Sequence, residues 1–210
     1  LDSSSRRSVL SDGLKEGVAY WVGEYDSLHG GFGNAPKFPR PTELLFLLRE
    51  YARMGDENAL MMVTRTLRAM ALGGMHDQIG GGFHRYSVDA EWRVPHFEKM
   101  LYDQAQLTLA YLEAFQVTGE EFYLSVADTT LGYVLREMTD SEGGFYSAED
   151  ADSIPPELVG SSSPNKQEGA FYVWTSEEID TLLTETSALV GLRFDIRKEG
   201  NATHDPHDEF

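Results

Sequence analysis

Apolar residues recur at intervals of three and four positions along much of the chain, which is the period of an amphipathic helix. This pattern predicts a first helix near residues 5–26 and a second at about Thr42–Met54. A third helix is expected to begin after Asp56, a good N-cap, and to end at Gly73–Gly74. A fourth is predicted at Glu98–Val117. The fold class that follows is all-α.

The second half of the chain adds two helices and a small strand pair to this prediction. Thr118-x-x-Glu121 and Thr175-x-x-Glu178 have the spacing of capping boxes, and they predict helices that reach about Met138 and Val190. Between them lie two short aromatic runs typical of strands, at 145–147 and 171–174. We therefore expect a small β-hairpin at about 143–175, inserted in the helical protein.

A short motif repeats along the chain at intervals that suit one helical hairpin plus its loops. The motif is GGF at Gly30, Gly81 and Gly143, with the relative GAF at Gly169. Such a period indicates a repeat architecture, here a partial toroid of hairpins, with residues 1–210 as a fragment of one domain. Glycine pairs allow sharp turns and close approach to a ligand. The aromatic residue after each pair is expected either to stack on a sugar ring or to cap the core.

The composition of the chain argues against several classes of binding partner and of reactive site. The chain has 210 residues and a net charge of −18, which argues against binding to nucleic acid or to an anionic membrane surface. It contains no cysteine, so disulfides, thiolate nucleophiles and zinc–thiolate sites are excluded. No apolar run approaches the ~20 residues of a membrane helix, and no signal-peptide pattern is present. These two absences do not establish the compartment, which is left open with a cytoplasmic location favoured.

The stretch Gly81–Asp103 concentrates histidines, carboxylates and aromatic residues in a short length of chain. Pro95 should hold the chain extended, so that His96 lies at a helix N-terminus, where the helix dipole favours the neutral imidazole. Such a histidine can act as a base near neutral pH. The candidate catalytic residues in this stretch are His84, His96, Glu98 and Asp103. The competing interpretation is that the charged pairs only tie the first helical turn to its loops.

A second candidate region is the acidic loop that contains Glu149, Asp150 and Asp152. Carboxylates crowded together raise one another's pKa, and one raised plus one ordinary carboxylate is the arrangement that glycoside hydrolysis needs. Asp150 is the fifth catalytic candidate, paired with Glu98 or Asp103. Glu149 fits a solvated loop better, and Glu168 is expected to complete an acidic wall.

Several further residues are candidates for ligand binding, as stacking rings or polar contacts. Arg85 can clamp a carboxylate or a sugar hydroxyl. No cofactor motif is recognised, and no cofactor is expected, because Gly80–Gly82 lacks the spacing of a phosphate-binding loop. No metal site is expected either, and His204 and His207 are interpreted as part of a solvated tail. The substrate-binding candidates are Phe83, Arg85, Trp92, Tyr102, Asp152 and Trp174.

Four stretches carry a resemblance to a known family. They are GGFGNAPKFPRP, the long run GGMHDQIGGGFHRYSVDAEWRVPHFEKMLYDQAQL, GGFYSAEDADS and EGAFYVWT. Together they resemble the helical part of the thioredoxin-domain-containing, spermatogenesis-associated protein family, over about residues 30–210. The resemblance implies an (α/α)6 toroid like that of six-hairpin glycosidases and the N-acylglucosamine 2-epimerase group, preceded by a thioredoxin-like domain. The thioredoxin-like part and the second half of the ring lie outside this sequence, and no catalytic residue carries over.

Two functional hypotheses follow. The first is a carbohydrate-active enzyme with a sugar-like ligand. It would be an epimerase or isomerase using His84 and His96, or a glycosidase using the carboxylates. The second is a non-catalytic module that binds a ligand or partner for a thioredoxin-like domain in the intact chain. A wet cleft shared by the two imidazoles favours the first, and buried, hydrogen-bonded histidines favour the second.

Overall fold

The computed structural model describes residues 3–162 and 164–202, and helices dominate them. The predicted all-α class is confirmed, with small two-stranded sheets between the helices. The final predicted helix is divided by a 3-10 turn at Thr184–Thr186. The α-helices are α1 (Ser3–Glu24), α2 (Pro41–Met54), α3 (Glu57–Leu72), α4 (Leu101–Thr118), α5 (Glu121–Glu137), α6 (Ser176–Leu183) and α7 (Ser187–Phe194).

Helix ends follow local capping chemistry in most places. Asp56 accepts hydrogen bonds from the first N–H groups of α3, and Gly73 ends that helix. Thr175 and Glu178 form the predicted capping box of α6. The capping box predicted at Thr118 is wrong, because Thr118 is the last residue of α4 and its hydroxyl donates to the Ala114 carbonyl.

The start of α4 also differs from the prediction. The helix begins at Leu101, and the residues before it belong to two short strands. His96 therefore does not lie at a helix N-terminus, and Glu98 and Lys99 do not share helical faces with Tyr102 and Asp103. The physical reason is that the backbone of this segment pairs with other strands instead of with the next helical turn.

Three antiparallel strand pairs connect distant parts of the chain. β1 pairs with β2, β3 with β4, and β5 with β6. The predicted small hairpin is present as the β5–β6 pair, but the aromatic runs at 145–147 and 171–174 are not its strands. The strands are β1 (Tyr86–Ser87), β2 (Pro95–His96), β3 (Lys99–Met100), β4 (Ala148–Glu149), β5 (Asp152–Ser153) and β6 (Gln167–Glu168).

The helices form a partial toroid of hairpins. α2 and α3 form one hairpin, α4 and α5 form the next, and the two lie side by side through α2 and α4. Their apolar faces share one core, in which Leu44, Met62, Leu67 and Tyr111 are fully buried. Burial of these faces provides the main stabilisation of the helices. The inter-helix loops carry the residues of the candidate site.

The first two GGF loops are built in the same way. In each, an aspartate four positions before the glycine pair accepts hydrogen bonds from two backbone N–H groups, and both glycines have φ between 75° and 85°. Phe32 and Phe83, which follow the glycine pairs, are buried in the core, whereas Phe145 in the third loop is exposed. The donors to the aspartates are Leu28 and His29 in the first loop, and Ile79 and Gly80 in the second.

A buried lysine completes each of these two loops. Lys37 donates to Asp26 at 2.6 Å, and Lys99 donates to Asp77 at 2.8 Å. Each ammonium group also donates to the carbonyl of the first glycine of its loop, at 3.0 Å. Burial opposes ionisation of both aspartates, but the hydrogen bonds from lysine and backbone outweigh it and lower their pKa values. Both aspartates therefore remain ionised at neutral pH.

Substitution of two glycines in the first loop should distinguish the effect of steric crowding on stability from the effect of backbone strain. Gly31 and Gly33 both have positive φ, but a Cβ on Gly31 would lie 2.5 Å from the buried Trp92 ring, whereas one on Gly33 would meet nothing within 4 Å. We expect Gly33→Ala to lower the free energy of unfolding by about 1 kcal/mol and Gly31→Ala by a further ~2 kcal/mol. Urea unfolding checks this, and equal losses would contradict it.

The buried lysine of the first loop gives a second prediction. Lys37 is fully buried and also donates to the Ala90 carbonyl at 2.7 Å, so Lys37→Met removes three hydrogen bonds and leaves the Asp26 carboxylate without its cation. We expect a loss of about 3 kcal/mol in the free energy of unfolding. Lys166→Met is the control, because Lys166 makes an exposed ion pair with Asp150 and should cost less than about 1 kcal/mol. Urea denaturation of the two variants tests the difference.

Candidate functional site

The structure brings five polar residues together in front of α4, and we call them the His96 cluster: Arg85, His96, Glu98, Asp103 and Glu168. His96 Nδ1 lies 2.6 Å from Glu168 Oε1, and its Nε2 lies 3.8 Å from Glu98 Oε2. Arg85 donates to the same Glu98 oxygen at 2.6 Å. The contact with the Glu168 carboxylate requires a proton on Nδ1, so any tautomer with one ring proton leaves its lone pair on Nε2, the nitrogen on the Glu98 side.

Strand pairing and stacking position the imidazole of His96. Its backbone pairs with Tyr86 across β1 and β2, and its ring stacks on the Tyr86 ring at a centroid distance of 4.8 Å. Glu168 belongs to β6, and it also accepts a hydrogen bond from the Phe97 N–H at 3.2 Å. The His96 side chain is 22% exposed, so a ligand can reach the imidazole.

Asp103 is the most perturbed carboxyl group of the cluster. It is 5% exposed, and its Oδ2 has no hydrogen-bond partner among the described residues. Burial raises the pKa of Asp103 to about 7; the positive charge of Arg85 opposes this shift and the negative charge of Glu98 adds to it. Asp103 can therefore hold a proton near neutral pH, as an acid catalyst requires.

His84, the second candidate base, is placed differently. It is buried, its Nδ1 lies 3.0 Å from the Phe97 carbonyl, and its ring packs edge-on against Phe97 and Tyr172. Burial, together with the positive charge of Lys99, lowers the pKa of His84 to about 3. The expectation of two imidazoles in one wet cleft is therefore corrected: His96 is accessible, and His84 is a neutral, hydrogen-bonded part of the core.

Two of the rings expected to stack on a sugar lie in the core instead. Phe83 is fully buried, and its ring stacks on Tyr111. Trp92 is also fully buried, and its indole N–H donates to the Gly30 carbonyl at 3.2 Å. Apolar faces that pack against protein on all sides cannot stack on a ligand, so the structure corrects the substrate-binding expectation for both residues.

The remaining sequence candidates are spread around the cluster. Asp150 is 65% exposed, and it forms an ion pair with Lys166 that lowers the pKa of its carboxyl group. It is therefore a surface carboxylate and not a desolvated acid. Asp152 is exposed and pairs through its backbone with Glu168. Tyr102 and Trp174 are each about half exposed, and Tyr102 interacts with Arg85.

Sequence reasoning missed a second group of polar residues near Tyr172. Glu149, which the sequence pattern assigned to a solvated loop, accepts hydrogen bonds from the hydroxyl groups of Tyr133 and Tyr172. Lys99 lies over both tyrosine rings, with its ammonium nitrogen 4.2 Å and 5.0 Å from their centroids. The sequence offered one signal for this group: Lys99 follows the second GGF motif along the chain, as Lys37 follows the first.

Within residues 3–162 and 164–202, no group of three or more potential metal-ligating side chains has the geometry to hold an ion. None of the described helices is both long and apolar enough to cross a bilayer. The tail that contains His204 and His207 lies outside the described residues.

Two solved structures with a similar arrangement of helices are sugar epimerases. A cellobiose 2-epimerase from Spirochaeta thermophila matches with a TM-score of 0.58 and 19% identity, over 90% of this chain and 52% of that chain. A sugar epimerase from a ruminal bacterium matches with a TM-score of 0.59 and 16% identity, over 88% and 52%. The chain therefore has the fold of part of an (α/α)6 toroid of the carbohydrate-enzyme-like kind.

Curated relatives identify the family that the sequence resembles. The chain is 53% identical to human Spermatogenesis-associated protein 20 over 77% of this chain and 20% of that protein. It is 42% identical to an uncharacterized protein of Caenorhabditis elegans over 89% of this chain and 27% of that protein. These matches confirm the resemblance to the spermatogenesis-associated protein family. The chain spans about a fifth of the length of the mammalian relatives. No family model matches it.

The raised pKa of Asp103 predicts how stability depends on pH. Because the folded pKa of about 7 exceeds the ordinary 3.8, folding takes up a proton, and stability falls as pH rises through that interval. Asp103→Asn replaces the protonated carboxyl group with a neutral isostere. At about pH 8 this variant should be more stable than the parent by about 1–3 kcal/mol, and the difference should shrink towards pH 5.

Urea unfolding at several pH values measures this dependence. Asp150→Asn is the matched control, because Asp150 is exposed and the pKa of its carboxyl group is lowered, so it does not titrate in this range. Parallel pH profiles for the parent and Asp103→Asn would show that Asp103 is ionised in the folded protein.

Proposed function

We propose that this chain is part of a carbohydrate-active enzyme that moves a proton at a carbon atom next to a sugar carbonyl, as an epimerase or isomerase does. The observation that carries the proposal is the accessible imidazole of His96, whose Nδ1 is held by Glu168 at 2.6 Å while Nε2 points towards Glu98. A base oriented by a carboxylate is the usual arrangement for proton abstraction. The carbohydrate-enzyme-like fold of the solved structures supports the substrate class.

The chemistry assigns roles to two members of the His96 cluster, His96 and Arg85. In the open-chain form of an aldose, His96 Nε2 takes the proton from C2, the C–H electron pair forms the C1–C2 double bond of an enediolate, and the carbonyl π electrons move to O1. Arg85, which is partly exposed, can donate to the carbonyl oxygen as negative charge develops there. Return of a proton to the opposite face of C2, with the C1 carbonyl formed again, gives the epimer. Delivery of the proton to C1, with transfer of the O2 hydroxyl proton to O1, gives the ketose.

Asp103 supports a second candidate reaction, glycoside hydrolysis. A carboxyl group with a pKa of about 7 can protonate a leaving oxygen, and Glu98 is the nearby carboxylate that an acid–base pair needs. Asp150 does not suit this role because its carboxyl group is exposed and paired with Lys166. The third possibility is the non-catalytic module that binds a ligand or partner for a thioredoxin-like domain.

One experiment separates these functions in the intact protein. Aldoses including D-glucose, D-mannose and cellobiose are incubated with the protein in D2O, and proton NMR follows the C2 signal and the appearance of new sugars. We expect exchange of the C2 proton with solvent deuterium. His96→Ala should reduce its rate by about 10²-fold or more, the usual contribution of a general base. Glu168→Gln should reduce the rate less.

The control is Asp150→Asn, because Asp150 lies on the surface away from the reacting groups and should leave the rate unchanged. Release of glucose from cellobiose, lost in Asp103→Asn, would replace the epimerase assignment with the hydrolase. Absence of both reactions in a folded parent protein would leave the binding module as the interpretation.

A further inference from the structure

A cavity of about 360 Å³ lies beside the His96 cluster and shares none of its five residues. Tyr133, Glu149 and Tyr172 line its inner part, together with Lys99. The ring of Tyr172 stacks on Phe97 at a centroid distance of 5.3 Å, so the cavity adjoins the segment that carries His96. Its volume lies in the range that suits a small ligand.

Each charged group of the cavity named below already has a partner within the protein. Lys99 is paired with Asp77, and the Glu149 carboxylate accepts from two tyrosine hydroxyls. At the opening, Arg136 is paired with Glu137 at 2.7 Å. A charged ligand would have to compete with these internal partners, and its own desolvation would be poorly compensated. The cavity therefore favours a neutral ligand that forms many hydrogen bonds.

Aromatic faces provide the other half of the lining. Phe171 is 71% exposed, and Tyr146 is about half exposed, although both line the cavity. Large exposed rings beside a cavity are typical of binding surfaces. The flat, weakly polar face of a pyranose ring packs well against such a side chain, while its hydroxyl groups can contact the carboxylate, phenol and guanidinium groups around it.

We infer that this cavity binds one neutral pyranose unit of a saccharide, separate from the unit on which the His96 cluster acts. The inference rests on the proposed function, because it specifies the substrate class as a saccharide of at least two units. The unit in the cavity is held by Phe171 and by hydrogen bonds at Glu149, and it does not react. It contributes binding without taking part in proton transfer.

Saturation-transfer NMR on the intact protein tests this inference with four probes. They are cellobiose and D-glucose, which are neutral, and D-glucosamine and glucose 6-phosphate, which are charged. We expect cellobiose to bind more tightly than D-glucose and both charged sugars to bind more weakly than D-glucose. Phe171→Ala should weaken cellobiose binding about three- to tenfold, the usual contribution of an aromatic contact. It should change D-glucose binding less.

Two further variants complete the design. Phe171→Leu keeps apolar volume but removes the aromatic face, so it should weaken binding as Phe171→Ala does. Phe194→Ala removes an exposed ring of α7 outside the cavity, and it should leave binding unchanged. Because Phe171 and Phe194 are both largely exposed, unchanged melting temperatures are expected for all three variants.

The outcomes distinguish this inference from the proposed function. Weaker cellobiose binding in both Phe171 variants supports the cavity site, even if His96→Ala leaves C2 proton exchange unchanged and the proposed reaction fails. Binding that is unaffected in the Phe171 variants overturns the cavity site, even if exchange still depends on His96. If a charged sugar binds as tightly as D-glucose or more tightly, the inference that the ligand is neutral is wrong. Failure of all four probes to bind overturns the inference.

Discussion

The architecture depends on two ammonium groups buried inside glycine turns. Each lysine neutralises an aspartate whose other oxygen already caps the turn, and each also donates to the carbonyl of the first glycine of its loop. Burial of an unpaired charge costs several kcal/mol of free energy, so each lysine–aspartate pair strongly favours the loop conformation in which the two side chains meet. The glycine turns in turn approach protein atoms closely: a Cβ on Gly82 would lie 2.4 Å from the Tyr133 ring. The loops are thus fixed between helices before any ligand binds.

The candidate site depends on the same construction. Lys99 lies three residues after His96 and pairs through its backbone with Glu149, so one short segment carries both the accessible imidazole and a buried ammonium group. The buried His84 packs edge-on against Phe97 of the same segment. The segment becomes helical only at Leu101. In its short extended strands, successive side chains point to opposite sides of the backbone.

The sequence correctly predicted the features that depend on neighbouring residues, namely most helix positions and two of the helix caps. The caps at Asp56 and Thr175 and most helix positions follow from nearby residues alone. The same reasoning failed at His96, where strand pairing with a segment ten residues earlier replaces the expected helical turn. It also failed at Trp92, since a ring between two charged residues gives no sign that it packs beneath Gly31. Burial and long-range pairing are properties of the assembled fold, and they decided which candidates became accessible.

The contact between His96 and Glu168 joins β2 to the β5–β6 hairpin. Glu168 accepts hydrogen bonds from the imidazole and from the Phe97 N–H, and both of these donors lie in the segment before α4. Under the proposed function, the hairpin orients the reacting imidazole while the helices form the core. The hairpin could then change in length or sequence during evolution, and with it the activity, under separate constraints from those that act on the helical fold.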